Sequence, residues 1–164
     1  MRGLAVQAAR DWNFIKMATP FAQQCPRDYR CQADRILTWV KKNITFVPDP
    51  VSEAGADQRF LGMNPSTDQV AEGIEMVQAP MRTLERRAGD CDCIGTLIAA
   101  LAMSLGIPAQ YVTIKSDMRR PEEFSHVYPR LLVNGVWLAA DPTVPSSVLG
   151  WEPPRQWGKT EWRI

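Results

Sequence analysis

The chain has 164 residues, a formal net charge of +1 at pH 7 and four cysteines. This length favours one domain with a buried core, and the near-neutral charge argues against a nucleic-acid or membrane surface. No apolar run approaches the ~20 residues of a membrane-spanning helix, and the first residues lack the pattern of a signal peptide. We therefore expect synthesis in a reducing cytoplasm, where irregularly spaced cysteines do not predict a disulfide scaffold.

The first half of the chain is predicted to be mainly helical. The spacing of apolar residues indicates one helix over 4–18, a connector over 19–26 and a second helix from 27 or 28 to 43. Residues 44–47 alternate like a short strand. Turn-forming residues interrupt the pattern over 51–80, so this stretch is interpreted as a loop.

A buried helix beginning at Cys91 is the strongest feature of the sequence. Its apolar residues recur at helical spacing, and its other faces carry Ala99, Ala100, Ala102 and Met103. Asp90 suits the N-cap, while Gly106 and Pro108 suit the end of the helix. Cys91 therefore falls in the first turn, where unpaired N–H groups and the positive end of the helix dipole favour a thiolate.

After this helix the period changes to that of strands. Residues 109–115 are β-rich, and two further strands over 125–133 and 136–142 are joined by Asn134-Gly135, a strong hairpin signal. The tail over 143–164 is rich in proline and tryptophan and is expected to wrap the surface. Helices followed by meandering strands predict an α+β fold with an antiparallel sheet.

The hairpin register brings together the only histidine of the sequence and an aspartate. A two-residue turn places Val133 opposite Val136, and continuing this register puts His126 and Asp141 on one face as diagonal neighbours. Pro129 cannot donate to the ladder, and a bulge there would turn His126 away from Asp141.

Cys91, His126 and Asp141 together match the three roles of a thiol-based catalytic site. The thiolate attacks a carbonyl, the imidazolium protonates the leaving group, and the carboxylate holds the ring. This chemistry needs no cofactor or metal.

The chain resembles a known family in several motifs. These are Gly-Asp-Cys at 89–91, Gly-Ile-Pro-Ala at 106–109, Ser-His-Val-Tyr at 125–128 and Trp-Leu-Ala-Ala-Asp-Pro-Thr at 137–143. In this order they resemble the transglutaminase-like cysteine peptidase superfamily. Trp-Val-Lys-Lys-Asn-Ile at 39–44, Phe-Val-Pro-Asp-Pro at 46–50 and Gln-Ala-Pro at 78–80 resemble the version carried by bacteriophages and prophages.

The resemblance implies a papain-like or transglutaminase-like fold, in which N-terminal helices and a central nucleophile helix pack on an antiparallel sheet. We expect a single domain over 1–164, with a helical part at 1–50, a catalytic core at 75–145 and a wrapping tail at 146–164. The implied substrate is a peptide or protein amide, such as a cell-wall peptide. A phage protein would be made in the host cytoplasm.

The oxyanion hole is predicted to combine the backbone N–H of Cys91 with the side-chain amide of Gln78. Each candidate also has a structural interpretation. Cys91 could be a small buried apolar residue, His126 a core histidine, Asp141 a turn former and Gln78 a solvated loop residue.

Cys93 departs from the phage-type motif, which reads Gly-Asp-Cys-Asp-Asp. Two residues turn a helix by about 200°, so Cys91 and Cys93 cannot both face His126. The flanking Asp90 and Asp92 oppose thiolate formation, because like charge raises the pKa of a thiol.

Three functions remain open from the sequence. The first is an enzyme that acts through a thioester, as a peptidase if water resolves it or as a crosslinker if an amine does. The second is a virion component of the tail or baseplate that keeps the fold as a scaffold. The third is a metal-binding module built on Cys25, Cys31, Cys91 and Cys93, although their spacings are poor for zinc. A Cys25–Cys31 disulfide would require an oxidising compartment.

Overall fold

A computed structural model describes residues 1–47 and 77–164. The helices in these ranges are α1 (Arg2–Arg10), α2 (Trp12–Gln24), α3 (Tyr29–Asn43), α4 (Pro80–Arg86) and α5 (Cys91–Ser104). The strands are β1 (Thr45–Phe46), β2 (Ala88–Gly89), β3 (Ala109–Lys115), β4 (His126–Val133), β5 (Val136–Ala139) and β6 (Gly158–Arg163). None of the described helices has both the length and the apolar character of a membrane span.

Helix α5 is the centre of the fold, as its all-round apolar sequence predicts. It contacts α1, α2, α3 and α4 on one side and the sheet on the other. Asp90 caps its N-terminus, where Oδ1 accepts the N–H of Cys93 at 3.0 Å. The helix ends before Gly106, whose φ of +80° is the left-handed conformation that glycine adopts at little cost.

The main sheet is antiparallel, with strand order β5-β4-β3-β6. Val133 lies opposite Val136, and the register runs unshifted to Arg130 opposite Ala139, which confirms the predicted hairpin. Pro129 lies one pair beyond the last ladder pair of β4 and β5, and it introduces no bulge. Its carbonyl accepts the N–H of Ala140 at 2.9 Å, which is the partner that an unshifted register predicts, so the register continues to the residue before Asp141.

The N-terminal prediction of one helix followed by a connector is wrong. Asp11 adopts an extended conformation between α1 and α2, and its carboxylate accepts the N–H groups of Asn13 and Phe14 at 2.8 and 3.1 Å. This cap starts a new helix, which then continues through Pro20 to Gln24. The second predicted helix is confirmed as α3, with Asp28 as its N-cap.

Three other segments refine the predictions. The short strand at 44–47 is β1, which pairs in parallel with β2 and so reaches Gly89, two residues before Cys91. The loop predicted over 51–80 lies mostly outside the described residues, and its last residue, Pro80, begins α4. The tail does not only wrap the surface, because it contains β6, which pairs with β3 at the edge of the main sheet.

A disulfide joins Cys25, just after α2, to Cys31 in the first turn of α3. These two sulfurs are bonded to each other and are not available to a metal, so the four-cysteine metal module is wrong. Disulfides persist mainly in oxidising compartments.

Candidate active site

The hairpin brings His126 and Asp141 into direct contact. His126 is the first residue of β4, Asp141 follows β5, and the His126 Nε2 atom lies 2.8 Å from Asp141 Oδ2. The Asp141 side chain is 0% exposed and that of His126 is 14% exposed. The contact is therefore shielded from water, which strengthens its electrostatic attraction.

Asp141 is held in place on its other side by its own loop. Its Oδ1 atom accepts both the backbone N–H and the hydroxyl of Thr143, at 3.0 and 2.7 Å. Burial raises the pKa of Asp141, but the bonds to His126 and Thr143 outweigh burial and lower it below the ordinary value of 3.8. The carboxylate therefore stays charged and has both oxygens engaged.

A second chain of hydrogen bonds ties this loop to α3. The hydroxyl of Ser147 donates to the backbone oxygen of Asp141 at 2.6 Å. The ammonium of Lys41 donates to the backbone oxygen of Ser147 at 2.5 Å and to its hydroxyl at 3.2 Å. Sequence analysis missed this support, because Lys41 and Ser147 are 106 positions apart. Thr143 had a local signal, since an aspartate often binds the backbone two residues ahead.

Cys91 is half-buried at the first position of α5, close enough to His126 to raise the pKa of its ring. Because Asp141 engages Nε2, Nδ1 is the ring nitrogen available to a second partner. Burial lowers the pKa of His126, but the hydrogen bonds and charges of Asp141 and Cys91 outweigh it and raise the pKa to about 9. At neutral pH the ring is therefore mainly an imidazolium next to a thiol at a helix N-terminus.

Asp90, the residue before Cys91, is a buried carboxyl. Burial and the neighbouring Asp92 side chain raise the pKa of Asp90 above the ordinary value of 3.8.

Cys93 lies in a different environment from Cys91, as the helix rotation predicts. It is 2% exposed, and its Sγ accepts the backbone N–H of Gln78 at 3.1 Å. The structure thus places Gln78 against the first turn of α5 through its main chain. The Gln78 Oε1 atom is buried and has no hydrogen-bond partner among the described residues.

The ligand-type atoms of Asp90, Asp92 and Cys93 lie within 4.8 Å of one another. Burial raises the pKa of the Cys93 thiol well above its usual range, and the pKa of Asp90 is also raised. A metal ion at this cluster would have to displace the proton of Cys93, because thiols bind metals as thiolates. In the structure Asp90 accepts the backbone N–H of Cys93, so the cluster supports the helix N-terminus through this hydrogen bond.

Comparison with known proteins identifies a related family and two related folds. The family described as the Transglutaminase-like superfamily matches residues 15–142. A "putative cysteine protease" from Cytophaga hutchinsonii has a TM-score of 0.55 at 21% identity, over 90% of this chain and 42% of that one. A "putative protease" from Parabacteroides distasonis has a TM-score of 0.56 at 12% identity, over 84% of this chain and 25% of that one.

The chain thus spans less than half the length of either structure. Among curated proteins, none matches the chain. The two structures share the α+β architecture of helices and an antiparallel sheet, and this confirms the fold class predicted from the sequence.

Proposed function

This chain belongs to the transglutaminase-like superfamily, and we propose that it is a cysteine-dependent amide hydrolase or acyltransferase. Cys91 is the nucleophile, His126 the acid and base, and Asp141 the residue that orients His126. The observation that carries this proposal is the buried 2.8 Å contact between His126 and Asp141, with Cys91 close enough to raise the pKa of the same ring.

The reaction follows from these contacts. The Cys91 thiolate attacks the amide carbon, and the carbonyl oxygen becomes an oxyanion. His126 donates its proton to the leaving amine, the C–N bond breaks, and a thioester remains on Cys91. His126 then removes a proton from water or an amine as it attacks the thioester carbon. The C–S bond breaks, Cys91 leaves as the thiolate, and the product is an acid or a new amide.

The oxyanion has two proposed hydrogen-bond donors. The backbone N–H of Cys91 is one, since the first N–H groups of a helix have no partner within the helix. The side-chain amide of Gln78 is the other, and its position against the first turn of α5 supports this assignment. The substrate class we propose is a peptide or protein amide.

A scaffold that does not catalyse would gain little from this arrangement. Removing a carboxylate from water costs several kcal/mol in proteins unless hydrogen bonds and an opposite charge compensate. Asp141 has both the hydrogen bonds and the opposite charge. Its contact with His126 holds the histidine ring beside Cys91. Shifted pKa values grouped in this way are typical of functional sites.

Phage origin, and a structural role in a virion, remain predictions from the sequence resemblance. Mass spectrometry of purified particles would test them. A protein present at fixed stoichiometry, with Cys91→Ala particles fully infectious, would favour the structural role.

Alkylation by iodoacetamide tests the proposed nucleophile, and Cys93 serves as an internal control in the same protein. We expect Cys91 to react at least tenfold faster than the buried Cys93, because only Cys91 contacts the imidazolium. His126→Ala should slow Cys91 by roughly tenfold or more while leaving Cys93 unchanged. Equal and slow reaction of both thiols in the wild-type protein would exclude an activated pair.

A further inference from the structure

Cys93 is buried beside the proposed active site but does not face the histidine. Its sulfur contacts the main chain of Gln78 at 3.1 Å, and its backbone N–H donates to the carboxyl of Asp90 at 3.0 Å. We propose that Cys93 is a positioning residue, whose thiol fixes Gln78 so that the Gln78 amide can donate to the oxyanion formed at Cys91. This inference rests on the proposed function.

The thiol is suited to this position because a thiol can accept and donate hydrogen bonds. Its sulfur accepts the Gln78 N–H, and the carboxyl of Asp90 holds the same residue by accepting its backbone N–H at 3.0 Å. Burial raises the pKa of the Cys93 thiol well above its usual range, so the proton stays on sulfur. A neutral group thereby links the loop of Gln78 to the cap of α5, and it adds no negative charge to the cluster.

Packing around Cys93 leaves little freedom for the loop. A Cβ atom placed on Gly89 would lie 2.8 Å from the Cys93 Cβ and 3.5 Å from the methyl group of Thr83. Thr83, in α4, is 0% exposed. Cys93 is therefore the point at which β2, α4 and the first turn of α5 meet.

The Gln78 side chain has an unsatisfied polar atom, as expected of a site that lacks its ligand. Its Oε1 atom is buried without a hydrogen-bond partner among the described residues, which is unfavourable for a polar atom. The two ends of an amide exchange by rotation about its terminal bond, so this position can present the NH₂ group instead. A substrate oxyanion would select the NH₂ group and remove the penalty.

Two chemical probes separate positioning from general structural support. Iodoacetamide reacts with Cys91 by displacement and forms no oxyanion. p-Nitrophenyl acetate acylates Cys91 through a tetrahedral oxyanion and releases nitrophenolate. Loss of one oxyanion donor typically costs about 10²–10³-fold in rate. We expect Gln78→Ala to lower acylation by about 10²-fold and Cys93→Ala by about 10-fold or more, with alkylation of Cys91 within about twofold of wild type.

Three further variants sharpen the test. Cys93→Ser keeps a donor and an acceptor, so it should recover part of the acylation rate. Cys93→Ala combined with Gln78→Ala should be no slower than Gln78→Ala alone, because both remove the same interaction. Ile98→Val is the matched control, since it removes one buried methyl group from α5 and should leave acylation unchanged.

The outcomes distinguish the inference from the proposed function. Cys93→Ala acylation equal to wild type would overturn the positioning role, as would a parallel loss of alkylation and acylation. If wild-type Cys91 reacts with neither probe, the proposed function itself fails. The Tm of every variant is measured, and all rates are taken at least 15 °C below the lowest Tm.

Discussion

Replacing Asp141 by asparagine should lower the pKa of His126 by removing the charge that holds its proton. The wild-type pKa of about 9 lies above the ordinary value of 6.5 even though burial lowers it. The difference corresponds to about 3 kcal/mol, because one pH unit is worth about 1.4 kcal/mol. In Asp141→Asn, burial and Cys91 alone remain, so we expect the pKa of His126 to fall toward 6.5 or below.

The assay is unusually direct because the sequence contains a single histidine. Its ring resonances can be followed by NMR from pH 5 to pH 10.5 without assignment. The reasoning is refuted if His126 titrates near 6.5 in the wild-type protein, or if Asp141→Asn leaves its pKa unchanged.

The same shift predicts a pH dependence of stability. A histidine whose pKa is raised by folding stabilises the protein fully below pH 6.5, and this contribution disappears as the pH rises through about 9. Between pH 6 and pH 10 the wild-type free energy of unfolding should therefore lose about 3 kcal/mol that Asp141→Asn does not lose. Urea denaturation of both proteins at the two pH values measures this difference.

Two further predictions concern stability. Gly89→Ala should lower the free energy of unfolding by about 1–3 kcal/mol, because its Cβ would lie 2.8 Å from the Cβ of Cys93. Gly3→Ala is the control, since a Cβ there meets open space and should not destabilise the protein. Equal urea midpoints for the two variants would contradict the packing described. Replacing Cys25 and Cys31 by serine should cost about 2 kcal/mol, since the disulfide closes a short loop in the unfolded chain. Calorimetry measures the change, and an unchanged Tm would exclude a stabilising disulfide.

Helix α5 and the β4–β5 hairpin could be predicted because their signals are local. The Asp90 cap predicts the start of helix α5, and Gly106 predicts its end, each to within one helical turn. The Asn134-Gly135 turn fixes the register, and the register then determines which face each later residue occupies. This is why His126 and Asp141 could be paired from the sequence.

The N-terminal helices show where apolar spacing misleads. The pattern continues across Asp11, although the capping carboxylate there ends one helix and begins the next. The predicted connector over 19–26 instead continues α2 through Pro20, although a proline inside a helix costs about 3 kcal/mol. Its neighbours Ala18 and Phe21 are buried in the core.

The rest of the site support depends on contacts between distant segments. Lys41 and Ser147 meet only because α3 packs beside the loop after Asp141. The contact of Cys93 with Gln78 likewise needs the chain before α4 to return to the first turn of α5. No local pattern predicts contacts between distant segments, so the role of Cys93 could not be predicted from the sequence.

The most direct test of the account is to trap the acyl-enzyme. After mixing with p-nitrophenyl acetate and rapid acid quench, tandem mass spectrometry of the tryptic peptide 88–115 should show an acetyl group on Cys91. The group should be absent at Cys93, absent from the peptide in Cys91→Ala, and formed at least tenfold more slowly in His126→Ala. An unmodified Cys91, or equal acetylation of Cys91 and Cys93, would contradict the assignment of Cys91 as the nucleophile.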